Sequence, residues 1–143
     1  GWGRESATNA TYSKYTESAQ DGTMSVLISN TSTSNKRVGS DDIKLSVGNY
    51  TLSVYAKNAV AGATANMKVG YVLIKEDGTV DSGKYNYVSG TTAIALTDEW
   101  TKYEYSIELE AEQTVSIVFM SSGSKSVAAK DMLIDNASLV VKK

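Results

Sequence analysis

The chain contains no cysteine, no histidine and no proline. Without cysteine there is no disulfide framework, no thiolate metal site and no thiol nucleophile. Without histidine the commonest general base and the commonest transition-metal ligand are missing, which weighs against catalysis. No apolar run approaches bilayer length, so membrane insertion is not expected. Charge of one sign is also scarce: 14 basic and 16 acidic residues give a net charge of −2 with no basic stretch. That balance offers no footprint for nucleic acid or an anionic membrane, and the expected partner is neutral.

What the chain does have is 33 serines and threonines and nine tyrosines. Hydroxylated, β-branched and aromatic side chains suit a half-buried pleated surface, so the composition is that of β-sheet. At 143 residues the chain suits a single domain with one core, expected as residues 1–143 without an internal boundary.

The most regular stretch is Leu45–Lys57. Tyr50, Leu52, Val54 and Ala56 alternate with Thr51, Ser53, Tyr55 and Lys57, a period of two that predicts a strand with one buried face. Gly48-Asn49, both tolerant of positive φ, marks a turn from a short approach strand at Ile43, Leu45 and Val47. Further strands are expected over Thr11–Glu17, Met24–Asn30, Asn66–Lys75, Lys84–Val88, Trp100–Leu109, Thr114–Met120 and Met132–Val141. Thr31 to Asp42 reads as a long polar loop holding Lys36 and Arg37. Asp77-Gly78 is a hairpin turn signal. About nine short strands and no helical spacing point to an all-β, two-sheet antiparallel sandwich; periodicity leaves immunoglobulin-like and jelly-roll topologies both open.

Several segments in order carry a resemblance. Gly1-Trp2, Ser18-Ala-Gln-Asp-Gly-Thr-Met-Ser-Val26, the Leu45–Lys57 stretch, Leu96-Thr-Asp-Glu-Trp-Thr-Lys-Tyr103 and Leu133-Ile-Asp-Asn-Ala-Ser-Leu139 together resemble the jelly-roll carbohydrate-binding modules of families four, nine and twenty-two. The resemblance covers most of the chain. It implies a jelly-roll β-sandwich that binds a β-linked plant polysaccharide, with xylan as the first expectation and β-glucan or mannan as alternatives. It also implies attachment to a glycoside hydrolase in a secreted or cell-surface bacterial protein, with the module monomeric and cut from a larger enzyme. The departure is at the front, where the family's opening strand and its acidic motif have no counterpart before Gly1.

Sugar rings expose C–H faces that stack on aromatic rings, while polar side chains take the hydroxyls. Tyr85 and Tyr87, two apart on one strand, fit that requirement and correspond in the resemblance to the cleft-lining strand. Tyr71 and Tyr55 are weaker candidates because their strand parity is ambiguous. Arg4 and Glu5, after Trp2, and Arg37 correspond to polar rim positions, with ordinary solvated charge as the alternative. Trp2 and Trp100 are expected in the core. The resemblance further implies one structural calcium ion held by Asp135 and backbone carbonyls of the turn from Asp21 to Met24, against an aspartate that merely accepts from backbone amides. The carboxylates Asp41-Asp42, Asp98-Glu99, Glu104, Glu108 and Glu110 are read as solvated surface rather than a glycosidase pair. The rival to a sugar-binding reading is a protein-interaction or adhesion sandwich.

Overall fold

The computed structural model describes residues 10–124 and 126–142 in full and the backbone of residues 2–4. The elements in order are β1 (Trp2–Arg4), β2 (Thr11–Tyr15), β3 (Ser25–Ser29), β4 (Lys36–Ser40), β5 (Ile43–Leu45) and β6 (Gly48–Asn58). They continue with β7 (Asn66–Ile74), β8 (Val80–Asn86), β9 (Ile94–Ala95), β10 (Thr101–Leu109), β11 (Gln113–Ser121) and β12 (Met132–Val141). No helix occurs among the described residues.

Two antiparallel sheets face each other. Sheet A runs β1-β4-β11-β7-β8, with β5 beside the start of β11 and β9 beside the start of β7; sheet B runs β10-β6-β12-β3-β2. This is the jelly-roll sandwich. Its core is the set of inward side chains: Met67, Val69, Ile117 and Phe119 from sheet A meet Ile28, Leu52, Val54, Ile107, Met132 and Ile134 from sheet B. The alternation along β6 is preserved residue by residue, Tyr50, Leu52, Val54 and Ala56 buried and the residues between them half-buried.

Gly48-Asn49 is the expected turn between β5 and β6, and it leads from one sheet to the other, because β5 pairs with β11 in sheet A while β6 pairs with β10 and β12 in sheet B. Gly48, at φ +146°, makes that turn. Other expectations are corrected. The span from Thr31 to Asp42 is not all loop, since it contains β4. That strand carries a single inward apolar side chain, Val38, and so shows no alternation; it forms because β11 has a free edge for it at Val118–Ser121. Arg37 is therefore a strand residue. Trp100 is outside the inter-sheet core. Tyr103, Tyr105 and Ile107 face inward, which puts Trp100 on the outer face of sheet B, half-buried under the 18–21 loop. There its indole N–H donates to Ser18 Oγ at 3.2 Å and Lys57 Nζ lies 5.9 Å from its ring centroid. The Trp2 side chain lies outside the described residues.

Candidate functional site

Parity along each strand decides which side chains leave the core. In β11, Val115, Ile117 and Phe119 point inward, so Ser116, Val118 and Met120 point out. Inward Val38 places Arg37 and Gly39 outward on β4, and inward Met67, Val69 and Tyr71 place Lys68, Gly70 and Val72 outward on β7. Strand β8 pairs Tyr85 with Val72 and Asn86 with Tyr71, so Tyr85 is outward and Asn86 inward.

Register sorts these positions into rows across the outer face of sheet A. Arg37, Met120 and Lys68 form one row; Gly39, Val118 and Gly70 form the next; Ser116, Val72 and Tyr85 follow. The middle row has two glycines and makes a trough. Gly70 is required there: a Cβ on it would stand 2.0 Å from the Asn86 carbonyl oxygen and 2.7 Å from Tyr87 Cα. The backbone at 86–87 thus lies against the sheet. It is held by Ser89, whose N–H donates to Val69 O at 3.2 Å and whose Oγ accepts from Val69 N at 2.9 Å.

This crossing brings Tyr87 beside Tyr85, with ring centroids 6.1 Å apart and planes 10° from parallel. The Arg37 guanidinium carbon is 4.2 Å from the Tyr85 centroid and 5.9 Å from that of Tyr87. Arg37 Nε–H donates to the Tyr87 hydroxyl, which in turn donates to Met120 Sδ at 3.6 Å. Lys68 Nζ lies 5.4 Å from the Tyr87 centroid. These side chains bury what lies beneath them. Val72, Val118 and Met120 are 2% exposed or less although they face away from the core. Tyr85 and Tyr87 themselves stay half-buried. A surface of two parallel phenol rings flanked by N–H donors can stack on a sugar's C–H face and bond its hydroxyls at once.

The other candidates fall elsewhere. Tyr71 is corrected to an inward residue of β7, 7% exposed, whose hydroxyl accepts from Asn86 Nδ2 at 2.9 Å. Tyr71 also lines an open pocket of about 580 Å³, with Tyr85, Glu108, Glu110 and Gln113. Tyr55 faces out from sheet B, between Lys102 and Asp135 in register, on the opposite side of the molecule. The Arg4 side chain and Glu5 lie outside the described residues. Lys68, Met120 and Gly70 belong to the face yet were not singled out from sequence, because the strand holding Lys68 and Gly70 is nearly equally apolar on both sides.

Asp135 is the residue expected to hold calcium. Its Oδ2 accepts from the backbone N–H of Gln20 at 2.9 Å and Asp21 at 3.0 Å, and its Oδ1 from Asn136 N–H at 2.8 Å. Calcium requires six to eight oxygen ligands. Here Asp21 turns its N–H, a positive dipole end, toward the carboxylate, Met24 is 49% exposed, and no cluster of three metal-ligating side chains occurs among the described residues. As for acid–base chemistry, Asp98 is occupied by Asn58 Nδ2 at 2.9 Å and Gly62 N–H at 3.1 Å, and Glu104 pairs with Lys102 at 3.4 Å.

The chain is thus a jelly-roll sandwich with an aromatic outer face on one sheet. The comparisons give its class. A family model described as carbohydrate binding domain, of the CBM 4/9 group, matches residues 2–126, and the chain belongs to that family, whose members bind sugars without chemistry on them. Among solved structures, the chain is similar to the CBM22-1 xylan-binding domain of Paenibacillus barcinonensis Xyn10C. The two share 19% identity at a TM-score of 0.68, over 100% of this chain and 86% of that one. It is also similar to the CBM22-1-GH10 modules of Clostridium thermocellum xylanase 10B complexed with xylohexaose, at 16% identity and a TM-score of 0.68, over 100% of this chain and 26% of that one. A third, a xylan-binding domain from CBM 22, matches at 14% identity and a TM-score of 0.61, over 92% of this chain and 82% of that one. At such identities the likeness shows the fold. No curated protein matches the chain.

Proposed function

We propose that the outer face of sheet A binds a β-linked plant polysaccharide, xylan first, and so holds an attached glycoside hydrolase of a secreted or cell-surface protein near its substrate. The observation that carries this reading is the Tyr85–Tyr87 pair, parallel and outward, with Arg37 against both rings. Two of the similar structures are described as xylan-binding domains, and a third holds xylohexaose beside a hydrolase module. The sugar chain lies across the rings, C–H faces on the phenols, with Arg37 donating to ring or hydroxyl oxygens. Binding is weak to moderate, because few stacked rings must offset the ordering of a flexible polymer. Linked to an enzyme, even weak binding raises local substrate concentration.

Native gel electrophoresis in soluble xylan, β-glucan and mannan tests the proposal. Retardation is expected in at least one, strongest in xylan. A folded protein retarded by none of them contradicts it and favours the adhesion reading.

A further inference from the structure

Among the described residues, sheet A ends in β8 and sheet B in β10. The pocket of about 580 Å³ is lined by residues of both edge strands, so it lies where the two sheets part. Its floor is apolar: Leu109 of β10 and Tyr71 of β7 belong to the buried core, and Leu73 packs against that core. Its rim is polar and exposed. Asn86 Nδ2 donates to the Tyr71 hydroxyl at 2.9 Å, which leaves that hydroxyl its own proton to donate, while Glu108 and Glu110 bring carboxylate oxygens that accept. The volume falls within the range of about 300–1,000 Å³ usual for small-molecule sites, which combine an apolar lining with a few placed polar groups.

Tyr85 belongs to two places at once. It stands outward beside Tyr87 on the face proposed to hold the sugar chain, and as a residue of the edge strand it also lines the pocket. A sugar ring stacked on Tyr85 is therefore at the mouth of a pocket whose floor is set among core residues, below the level of the face. A main chain lying flat across both phenols continues along the outside of the sheet, and a substituent hanging from it is what turns down past the edge. The lining selects that substituent. Sugar hydroxyls donate to carboxylates in charge-assisted hydrogen bonds, about twice as strong as neutral ones. Of the charged side chains in the lining, two are carboxylates and one, Lys84, is a cation, an excess of negative charge that disfavours a branch bearing its own carboxylate.

We infer that this pocket takes a neutral sugar branch of the bound polysaccharide, so that the domain prefers a substituted chain to a linear one. The inference rests on the proposed sugar-binding role of the outer face and names the class of chain that face prefers. Glu108, Glu110 and Tyr71 receive the branch, and Tyr85 joins the pocket to the face. Tyr71, inward and unable to serve as a stacking platform, acts there through its hydroxyl.

The test titrates the protein calorimetrically with pairs of soluble oligosaccharides, each pair a linear β-linked backbone and the same backbone with one neutral branch: xylose units with arabinose, glucose units with xylose, mannose units with galactose. In a pair that is bound, the wild-type chain is expected to hold the branched member roughly five- to twentyfold tighter. Tyr71→Phe and Glu110→Gln are each expected to remove much of that advantage and to leave affinity for the linear member unchanged; Glu110 is exposed, so its variant keeps the fold. Equal or weaker binding of the branched member in every pair that is bound, or an advantage that survives both variants, overturns the inference while leaving the sugar-binding role standing. Binding to no member of any pair removes both. A xylose backbone with a glucuronic acid branch is expected to bind more weakly than the arabinose-branched one, and a preference for the acidic branch overturns the assignment to a neutral sugar.

Discussion

At the scale of single residues, Gly70 shows how a position with no side chain can shape a site. The 2.0 Å that would separate a Cβ from the Asn86 carbonyl oxygen leaves no room for even a methyl group, and the obstacle is backbone. Gly70→Ala is therefore expected to push the 86–87 segment off the sheet and carry Tyr87 away from Arg37. Overpacking of this kind costs about 1–3 kcal/mol. The expected outcome is a thermal midpoint lowered by several degrees, together with loss of polysaccharide retardation larger than the stability change explains. Asp98 shows a different residue-scale effect. Its carboxyl is held below the usual range, first by the Asn58 amide and then by the Gly62 N–H, against a smaller opposing push from desolvation. A carboxyl depressed in the folded state adds stability above its unfolded value of about 3.9 and loses that contribution as pH falls through the folded value. Asp98→Asn should thus destabilise the chain at neutral pH, with the gap to wild type closing in denaturant titrations carried out below pH 4.

At the scale of elements, the sequence was legible wherever one face of a strand met the core and the other met water. Strand β6 alternates without a break, and β12 has the bounds its apolar run suggests, Met132 to Val141. Strand β4 was not legible. With Val38 its one inward apolar residue, its pairing with β11 is written in the partner rather than in itself. The same limit hid Arg37, placed by its sequence in a loop and by its pairing on the open face. Tyr71 and Lys68 lie on β7, where outward Val72 is buried by Tyr85 and its neighbours, so that both faces read as apolar and parity cannot be told. Trp100 was misassigned for a related reason: its large ring is covered, but by the 18–21 loop on the outside of sheet B rather than by the opposing sheet. That loop is tied to β12 by Asp135 through two backbone amides. We propose that these N–H groups hold the loop without an ion. Chelation by EDTA is expected to leave the thermal midpoint unchanged, and a fall of several degrees, restored by calcium, would contradict the assignment.

At the scale of the whole molecule, the two sheets divide their labour. Their inner faces meet in an apolar core, Phe119 and Ile28 among its fully buried members, and this core makes sheet A a rigid support. Rigid strands hold Arg37, Lys68 and Tyr85 in fixed rows, and the Ser89 anchor adds Tyr87. The outer face of sheet B instead carries Tyr55, Asp135 and the covered Trp100, and its edge strand β10 presents Lys102, Glu104 and Glu108 to solvent. The family of the chain was legible from segments spread along it, and the jelly-roll topology came with that resemblance rather than from periodicity. Which sheet carries the rings required the pairing of β7 with β8.

The central claim is that sugar is held by the rings standing out from sheet A. Titration of Tyr85→Ala/Tyr87→Ala with soluble xylan, beside the wild-type chain and a Tyr55→Ala control on the opposite sheet, tests it most directly. The account predicts at least a tenfold loss of affinity in the double variant, about 1.4 kcal/mol, with the far-ultraviolet circular dichroism of the folded sandwich retained and the Tyr55→Ala chain binding as wild type does. A folded double variant that binds xylan as tightly as the wild-type chain would contradict it.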